Sequence, residues 1–468
     1  MSYTYFPMNR PLVTMTHVCR SWRNVLVSTP SLWTQLDFCV PTGPQQVEEF
    51  LRRSGNLPLD IHQYLEVPDH IEPFLSTTLH NLSRLRRLEI NSSLDRLGRL
   101  LERFSTSAPV LEYLNITNYP NITDEDMKLP CTIFGGRLPK LTSLSLFCLR
   151  TDLRGFIFPS LTRFSFTTGT KNSVGNLIFF FEKCPLLEFI QICLGCMPEQ
   201  PIAPPRKRVR LVALKELRFG KSASVSGLLD HLTLPNCTEM TLKGEFTGEV
   251  LNQYGSPAAR IHPSSIDHLP VTRGITKVVA MPKSCILSGP NGNLRFWCFS
   301  GTRREFDAEY FTSFSPIPVL EIRELWVGQS TASHFGGTPE PWKQTAAGVR
   351  GAFGMLTKVE DLTIISCETG PIFATLDATV DDTLLLPRLR RLTIHVGCGN
   401  LDVAALVQCT KTRKERSRPL GEVTVVFTEA ATTDLIREVE LLREFVVEVD
   451  HHVGVAPTLI WSGVGCDF

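Results

Sequence analysis

One short phrase recurs along the 468-residue chain. Its clearest copy is Leu138-Pro139-Lys140-Leu141-Thr142-Ser143-Leu144-Ser145-Leu146, in which three apolar slots are filled by Leu141, Leu144 and Leu146. The last two slots are two residues apart, as on one face of a β-strand. Twelve copies occur, of which the one at Ile275 is the least regular. Their first slots are Leu85, Leu111, Leu141, Leu161, Leu187, Leu214, Cys237, Ile275, Ile322, Val359, Leu389 and Leu420.

Proline gives this phrase its significance. Because 43% of the residues are apolar, three apolar slots match by chance in about 8% of windows. In six of the twelve copies, however, a proline stands two residues before the first slot. Proline cannot continue a helix and biases its predecessor toward extended backbone, so it suits the start of a strand. These prolines are Pro109, Pro139, Pro159, Pro185, Pro235 and Pro387.

The spacing of the copies predicts the fold class. Most lie between 20 and 38 residues apart, which is similar to leucine-rich repeats that alternate a strand with a helix. We therefore expect an α/β leucine-rich-repeat solenoid with a parallel sheet on the concave side and helices on the convex side. The pattern predicts helices over 71–82, 174–183, 225–232, 402–414 and 433–445. An irregular stretch between residues 244 and 319 contains a predicted hairpin turning at Pro290-Asn291-Gly292.

The residues between the apolar slots and directly after the last slot are expected to line the concave face of the sheet. Twelve strands at about 4.8 Å each would span roughly 55 Å, which suits a protein partner better than a small molecule. Most of these positions are polar, but Tyr113, Phe147, Phe189 and Trp326 are aromatic. We predict that these four rings contact a partner; the alternative is that a loop or helix of the chain covers them.

A second informative stretch lies near the N-terminus. Val18, Cys19, Trp22 and Leu26 have helical spacing, and Pro30 ends that helix before Ser31-Leu32-Trp33. Two tryptophans so close together require burial, either in a core or against a partner. The runs Val18-Cys19-Arg20-Ser21-Trp22-Arg23 and Thr29-Pro30-Ser31-Leu32-Trp33 resemble the C-terminal half of the F-box motif. The resemblance covers residues 11–38. The sequence of this segment is similar to the F-box families of mushroom-forming fungi.

That resemblance implies a partner and a function. An F-box docks on a Skp-family adaptor, which connects it to a cullin scaffold, so the chain would be a substrate receptor of an SCF-type ubiquitin ligase. Val18, Cys19, Trp22, Leu32 and Trp33 would contact the adaptor or form the local core that docking needs. The solenoid would bind the protein substrate.

One departure leaves an alternative open. The Leu-Pro-x-Glu helix that opens an F-box does not occur between Met1 and Thr16, so the motif is expected to be partial. The alternative is a leucine-rich-repeat interaction scaffold that has lost its coupling to a ligase. The predicted domains are a partial F-box-like helical segment at 1–40, an irregular solenoid at 41–445 and a C-terminal cap or tail at 446–468.

The amino-acid composition limits the cellular compartments and the classes of partner that we expect. The 48 Lys and Arg residues balance 47 Asp and Glu residues, so neither nucleic acid nor an anionic membrane is expected as a partner. The run from Val174 to Gly195 is interrupted by Glu182, Lys183 and Glu188 and is not expected to span a membrane. The start shows no secretory signal. We expect a soluble cytoplasmic or nuclear protein with reduced thiols.

The sequence offers no catalytic, cofactor or metal site. Cys193 and Cys196 form a lone C-x-x-C without a second pair at metal-binding spacing. The eleven histidines do not cluster with cysteines or carboxylates. The basic run Arg206–Arg210 is interpreted as a solvated loop; a nuclear import signal or nucleic-acid patch is the alternative. An enzyme is therefore the weakest of the three interpretations.

Overall fold

The computed structural model divides the chain into two compact units, Met1–Asn236 and Cys237–Phe468, which are considered separately. The residues that the structure describes are 9–38, 44–65, 71–92, 97–118, 127–130, 132–168, 174–194, 208–220, 228–244, 269–281, 284–298, 321–328, 346–365, 369–377, 379–380, 383–396, 401–427 and 432–454.

The first unit contains a parallel sheet whose strands pair almost in chain order. The described helices are α1 Asn9–Met15, α2 Arg20–Val27, α3 Pro44–Ser54, α4 Ile71–His80, α5 Leu97–Leu101 and α6 Val174–Glu182, with 3-10 turns at Pro30–Trp33, Leu82–Arg84, Ile133–Gly136 and Leu153–Gly155. The strands are β1 Gln35–Asp37, β2 Leu59–Leu65, β3 Leu85–Ser92, β4 Tyr113–Asn118, β5 Met127–Lys128, β6 Ser143–Phe147, β7 Leu149–Arg150, β8 Arg163–Thr168, β9 Phe189–Leu194, β10 Val209–Arg210, β11 Glu216–Gly220 and β12 Leu232–Thr233. The main sheet has the order β1-β2-β3-β4-β6-β8-β9-β11. Two short parallel pairs, β5 with β7 and β10 with β12, lie outside it.

The second unit also contains a mostly parallel sheet. Its described strands are β13 Glu239–Gly244, β14 Lys277–Met281, β15 Ser284–Gly289, β16 Gly292–Cys298, β17 Glu324–Gly328, β18 Asp361–Ile365, β19 Thr379–Val380, β20 Thr383–Leu384, β21 Arg391–Val396, β22 Glu422–Phe427 and β23 Glu448–Val453. Its described helices are α7 Ala346–Met355, α8 Gly370–Asp377, α9 Val403–Glu415 and α10 Thr433–Glu440, with 3-10 turns at Pro270–Thr272 and Leu441–Glu444. The sheet order is β13-β16-β15-β14-β17-β18-β21-β22-β23, in which only β15 is antiparallel to its neighbours. The fold is therefore α/β with mostly parallel sheets, which is compatible with a solenoid.

The prediction that each recurring phrase forms a strand is confirmed for all twelve copies. The second and third slots lie on the strands, and all of their side chains except the half-exposed Leu242 are buried: Leu144 and Leu146 of β6, for example, are 2% and 1% exposed. The position between them is half-exposed in most of the strands, as at Ser145, and buried at Thr241, Val279 and Thr363. Alternation of this kind fixes the register, because a slip by one residue would move every apolar side chain to the other face.

The structure gives the proline a more specific role than the one the sequence suggested. The amide of the first-slot leucine donates to the carbonyl oxygen of the residue before the proline, as from Leu111 to Ala108 and from Leu141 to Leu138, both at 3.2 Å. Proline therefore occupies the second position of a β-turn, where its fixed φ is favourable. The same turn recurs at Leu161, Leu187 and Leu389.

The predicted hairpin is confirmed. Strands β15 and β16 pair antiparallel from Ser284 opposite Trp297 to Gly289 opposite Gly292, with Pro290 and Asn291 in the turn. Gly292 has φ +125°, and a Cβ at this position would overlap the carbonyl oxygen of Thr238. Only glycine fits both requirements. That carbonyl accepts from the Asn293 amide at 2.7 Å, which joins the hairpin to β13.

Helices connect several of the strands. In the second unit α7 packs on α8, and α8 on α9. Asp402 caps α9 by accepting from the amide of Ala405 at 3.0 Å, as the helix predicted over 402–414 requires. The predictions over 71–82, 174–183 and 433–445 match α4, α6 and α10 with its following 3-10 turn. In the helix predicted over 225–232, Leu232 instead begins strand β12, and residues 225–227 lie outside the described part.

Two further elements differ from the sequence-based expectation. The Leu-Pro-x-Glu helix was expected to be missing between Met1 and Thr16; a helix of another sequence, α1, occupies Asn9–Met15, with Pro11 in its first turn, where a missing amide hydrogen is tolerated. Strand β23 lies within the predicted cap or tail at 446–468, and it pairs parallel with β22. It belongs to the sheet through this pairing, and Val449 is its one buried side chain, at 4% exposed.

Candidate docking surfaces

The N-terminal segment is fixed to the first unit by Trp33. This side chain is only 1% exposed, and its indole Nε1 donates to the carbonyl oxygen of Leu26 at 2.8 Å, near the end of α2. The ring meets Phe50 of α3 edge-on at 4.9 Å between centroids, and the Arg53 guanidinium lies 4.2 Å from the ring centroid. Of the five residues predicted to dock the adaptor, Trp33 is thus the one that forms the local core.

The other four predicted docking residues are exposed. Trp22 is 51% exposed, Val18 63% and Leu32 39%, and Cys19 is also exposed. Two apolar residues that the prediction did not include, Met15 and Val25, are exposed in the same segment. All of these residues lie between positions 15 and 32, and exposed apolar side chains concentrated in one segment are typical of interaction sites. We call Met15, Val18, Trp22, Val25 and Leu32 the N-terminal apolar patch.

Hydrogen bonds hold the backbone beneath this patch. Arg23 Nε donates to the carbonyl oxygen of Thr16 at 2.8 Å, which connects α2 to the end of α1. The Cys19 Sγ accepts from the amide of Trp22 at 3.5 Å as the N-cap of α2. At the C-terminal end of α2, the amide of Ser28 donates to the carbonyl oxygen of Asn24. Trp22 is therefore exposed on a helix that is hydrogen-bonded at both ends.

The four aromatic residues predicted on the sheet face lie where the alternation placed them, but three of them are covered by cations. The Arg87 guanidinium stands 3.8 Å from the centroid of Tyr113. Phe189 is contacted by Arg163 at 4.5 Å and by Arg218 at 5.0 Å, and it is only 8% exposed. Burial, with the nearby Glu89 carboxylate, raises the pKa of Tyr113. Phe147 is half-exposed.

Trp326 belongs to a closed polar network in the second unit. Its indole Nε1 donates to Glu324 Oε1 at 2.6 Å, and the Lys277 ammonium lies 3.8 Å from the ring centroid while bonding the same carboxylate oxygen at 2.8 Å. Neighbouring Asp361 holds Arg391 through two bonds of 2.6 Å. The charged side chains along this part of the face therefore neutralise one another.

A polar cluster occupies the face of the first sheet that carries Tyr113 and Phe189, at the end where β1 and β2 lie. His62 lies between two carboxylates, with Nδ1 3.9 Å from Asp37 and Nε2 3.7 Å from Glu89. The amides of Asn91 and Asn115 approach His62 and Glu89 respectively, each at 3.3 Å. The β1 to β4 part of this face thus carries two carboxylates around His62, and Arg87 lies on the same strand as Glu89.

The described residues include neither a metal-type cluster nor a membrane-spanning helix. No group of three or more His, Cys, Asp and Glu side chains there has the arrangement of a metal site. No helix in the described ranges is long and apolar enough to cross a bilayer. Burial raises the pKa of the Cys184 and Cys409 thiols to about 12, so both stay protonated. Cys196 and the first two residues of the predicted basic loop lie outside the described residues.

The sequence interpretation missed the arginines that cover the rings. Arg87, Arg163 and Arg218 occupy predicted face positions, but which ring each one covers depends on the order and register of neighbouring strands. A signal was present. Arg87 and Arg163 lie directly opposite Tyr113 and Phe189 on the neighbouring strands, and Arg218 lies opposite Gln191, two residues from Phe189. No protein-family model matches the chain, and no curated protein matches it.

Proposed function

We propose that this protein is a substrate receptor of an SCF-type ubiquitin ligase. The observation that carries the proposal is the N-terminal apolar patch: Trp22 and Val25 stand in solvent on a helix that Trp33 fixes to the sheet-bearing unit. Exposed tryptophan on an ordered helix is typical of a protein-binding anchor. The patch coincides with the residues that resemble an F-box, so a Skp-family adaptor is the proposed occupant, with a cullin scaffold joined through it.

The remainder of the chain would bind the protein to be ubiquitylated. The recurring turn, strand and buried slots support the interpretation as leucine-rich repeats. The half-exposed sheet face carries aromatic, charged and hydroxyl side chains on successive parallel strands, as a protein-binding surface requires. The receptor itself would perform no covalent chemistry. Its contribution would be proximity, since it raises the effective concentration of the substrate near a charged conjugating enzyme. The proposed compartment is the cytoplasm or nucleus.

Co-purification of the full chain with a Skp-family adaptor tests this proposal. The wild-type chain is expected to form a stoichiometric complex that survives size-exclusion chromatography, and Trp22→Ala is expected to lose it. Phe179→Ala is the matched control, because Phe179 is another exposed aromatic residue, at 40%, outside the patch. Trp33→Ala is expected to lose the complex together with the local fold.

The alternative function is a protein-binding scaffold without a ligase connection. The absence of a Leu-Pro-x-Glu helix between Met1 and Thr16 motivates it, since α1 has a different sequence. An intact, folded chain that does not bind the adaptor would support the scaffold and remove the ligase role.

A further inference from the structure

Each of the two units has one half-exposed face on its sheet. Most of the charged side chains on these faces form ion pairs. In the second unit Lys277 bonds Glu324, Arg391 bonds Asp361 and Arg295 bonds Glu239. In the first unit Arg218 bonds Glu216 at 2.5 Å. Because an ion pair of this kind occupies both partners, such a side chain has little capacity left for a ligand.

Arg87 and Arg163 are different. Within the described ranges neither guanidinium lies within ion-pair distance of a carboxylate, and both side chains are exposed. Each is instead placed against a ring, Arg87 on Tyr113 and Arg163 on Phe189. Stacking holds a guanidinium in position and leaves donors at its edge available for a carboxylate.

The two stacks have a defined spacing. Arg87 and Arg163 lie in one row of the sheet, in the order β3, β4, β6 and β8. Three strand spacings separate them by about 14 Å. Both side chains lean toward the next strand of the sheet, onto β4 and β9 respectively, so the guanidinium groups keep that separation.

Small hydroxyl side chains lie between the stacks. Ser143 occupies the same row, and Ser145 and Ser165 occupy the next; all three are half-exposed. A small side chain leaves room above the sheet, and its hydroxyl can donate to or accept from a peptide backbone. An extended segment about four residues long, at roughly 3.3 Å per residue, would bridge the two arginines.

We propose that this face of the first unit binds an acidic, extended segment of a partner protein, with one carboxylate on Arg163 and a second on Arg87. This inference deepens the proposed function, on which it rests for the identity of the partner as a substrate. Charge favours a carboxylate over a phosphate group: Glu216 beside Arg218 leaves a single excess positive charge around Phe189, and Glu89 lies near Tyr113.

Fluorescence anisotropy of the full chain tests the inference. The probe is a fluorescein-labelled peptide of glycine and serine that carries two glutamates with three residues between them. Matched peptides carry glutamine or phosphoserine at both positions. Wild type is expected to bind the glutamate peptide at least about fivefold more tightly than the glutamine peptide, the effect of roughly one charge-assisted hydrogen-bonded pair.

Arg163→Gln and Arg87→Gln are each expected to abolish most of that preference. Arg391→Gln, in which the arginine removed is already paired with Asp361, is expected to retain it. Equal binding of the glutamate and glutamine peptides, or an equal loss in the Arg391 variant, would overturn the inference. Much tighter binding of the phosphoserine peptide would also overturn it, in favour of a phosphate site.

A variant of the N-terminal patch separates this inference from the proposed function. Trp22→Ala is expected to leave peptide binding unchanged while it removes adaptor binding. If the intact chain discriminates between the peptides but does not bind the adaptor, the ligase role fails and the acidic-peptide site stands.

Discussion

The indole nitrogen of Trp33 and the carbonyl oxygen of Leu26 form a hydrogen bond of 2.8 Å, which joins the Pro30–Trp33 turn to the end of α2. Trp33→Ala removes this bond and a fully buried ring, so we expect a loss of about 3–5 kcal/mol in the free energy of unfolding. Trp33→Phe keeps most of the packing and should cost about 1–2 kcal/mol. Urea unfolding gives both values.

Trp22→Ala is the control for this comparison. Because Trp22 is 51% exposed, its truncation should change the free energy of unfolding by no more than about 0.5 kcal/mol. A loss in the Trp22 variant as large as that in the Trp33 variant would mean that the patch is part of the core.

Gly292 is expected to tolerate no side chain. Gly292→Ala places a Cβ against the Thr238 carbonyl at a backbone φ of +125°, so strand β16 must separate from β13 or the hairpin must deform. We expect a loss of at least about 2 kcal/mol in the free energy of unfolding. Gly354→Ala provides the contrast, since it lies in α7 and its Cβ would have Leu385 Cδ2 as its nearest neighbour at 4.0 Å. That change should be neutral or stabilising by up to about 1 kcal/mol.

Arg413 is a buried cation that bridges two backbone carbonyls. Its two terminal nitrogens donate to Leu385 and Leu386 at 3.1 and 2.9 Å, and Leu386 has φ +47°. Arg413→Ala leaves both carbonyls and a cavity, so it should cost about 3 kcal/mol or more. Arg413→Met should cost less, because it fills the space without a buried charge. Lys411→Ala, an exposed change on the same helix, should have little effect in the same urea titrations.

We expect the buried His395 side chain to make the protein less stable on mild acidification. Burial, and secondarily the neighbouring His452, lower the pKa of His395 below its ordinary value of 6.5. The unfolded chain therefore binds more protons than the folded chain as the pH falls below about 6.5. The contribution of His395 is full above that pH and is lost as the pH falls through its lowered folded-state pKa. Unfolding measured at several pH values should show a shallower dependence in His395→Gln than in wild type, and identical slopes would rule out this origin.

The elements that sequence could predict are those set by local chemistry. Leu144 and Leu146 alternate with serines, and Pro139 stands at a turn position. Pro290-Asn291 separates two apolar runs. Each of these signals acts over a few residues, and each gave a strand or turn that the structure contains. Asp402 likewise marks the start of α9.

The elements that sequence could not predict depend on contacts between distant residues. Trp22 and Trp33 are the same residue type in one motif, and it is the contacts of Trp33 with Phe50 and Arg53 of α3 that distinguish the buried ring from the exposed one. The burial of Phe189 required both neighbouring strands, since one arginine comes from β8 and the other from β11. Strand β23 was missed because only two of its residues, Val449 and Val453, are apolar, and Val453 is exposed.

Hydrogen exchange of the full chain, measured by mass spectrometry with and without a Skp-family adaptor, tests the central claim most directly. The account predicts slower exchange in peptides that cover residues 12–33 and unchanged exchange in strands β17 to β22. Slower exchange confined to other parts of the chain, or none anywhere at saturating adaptor, would contradict it.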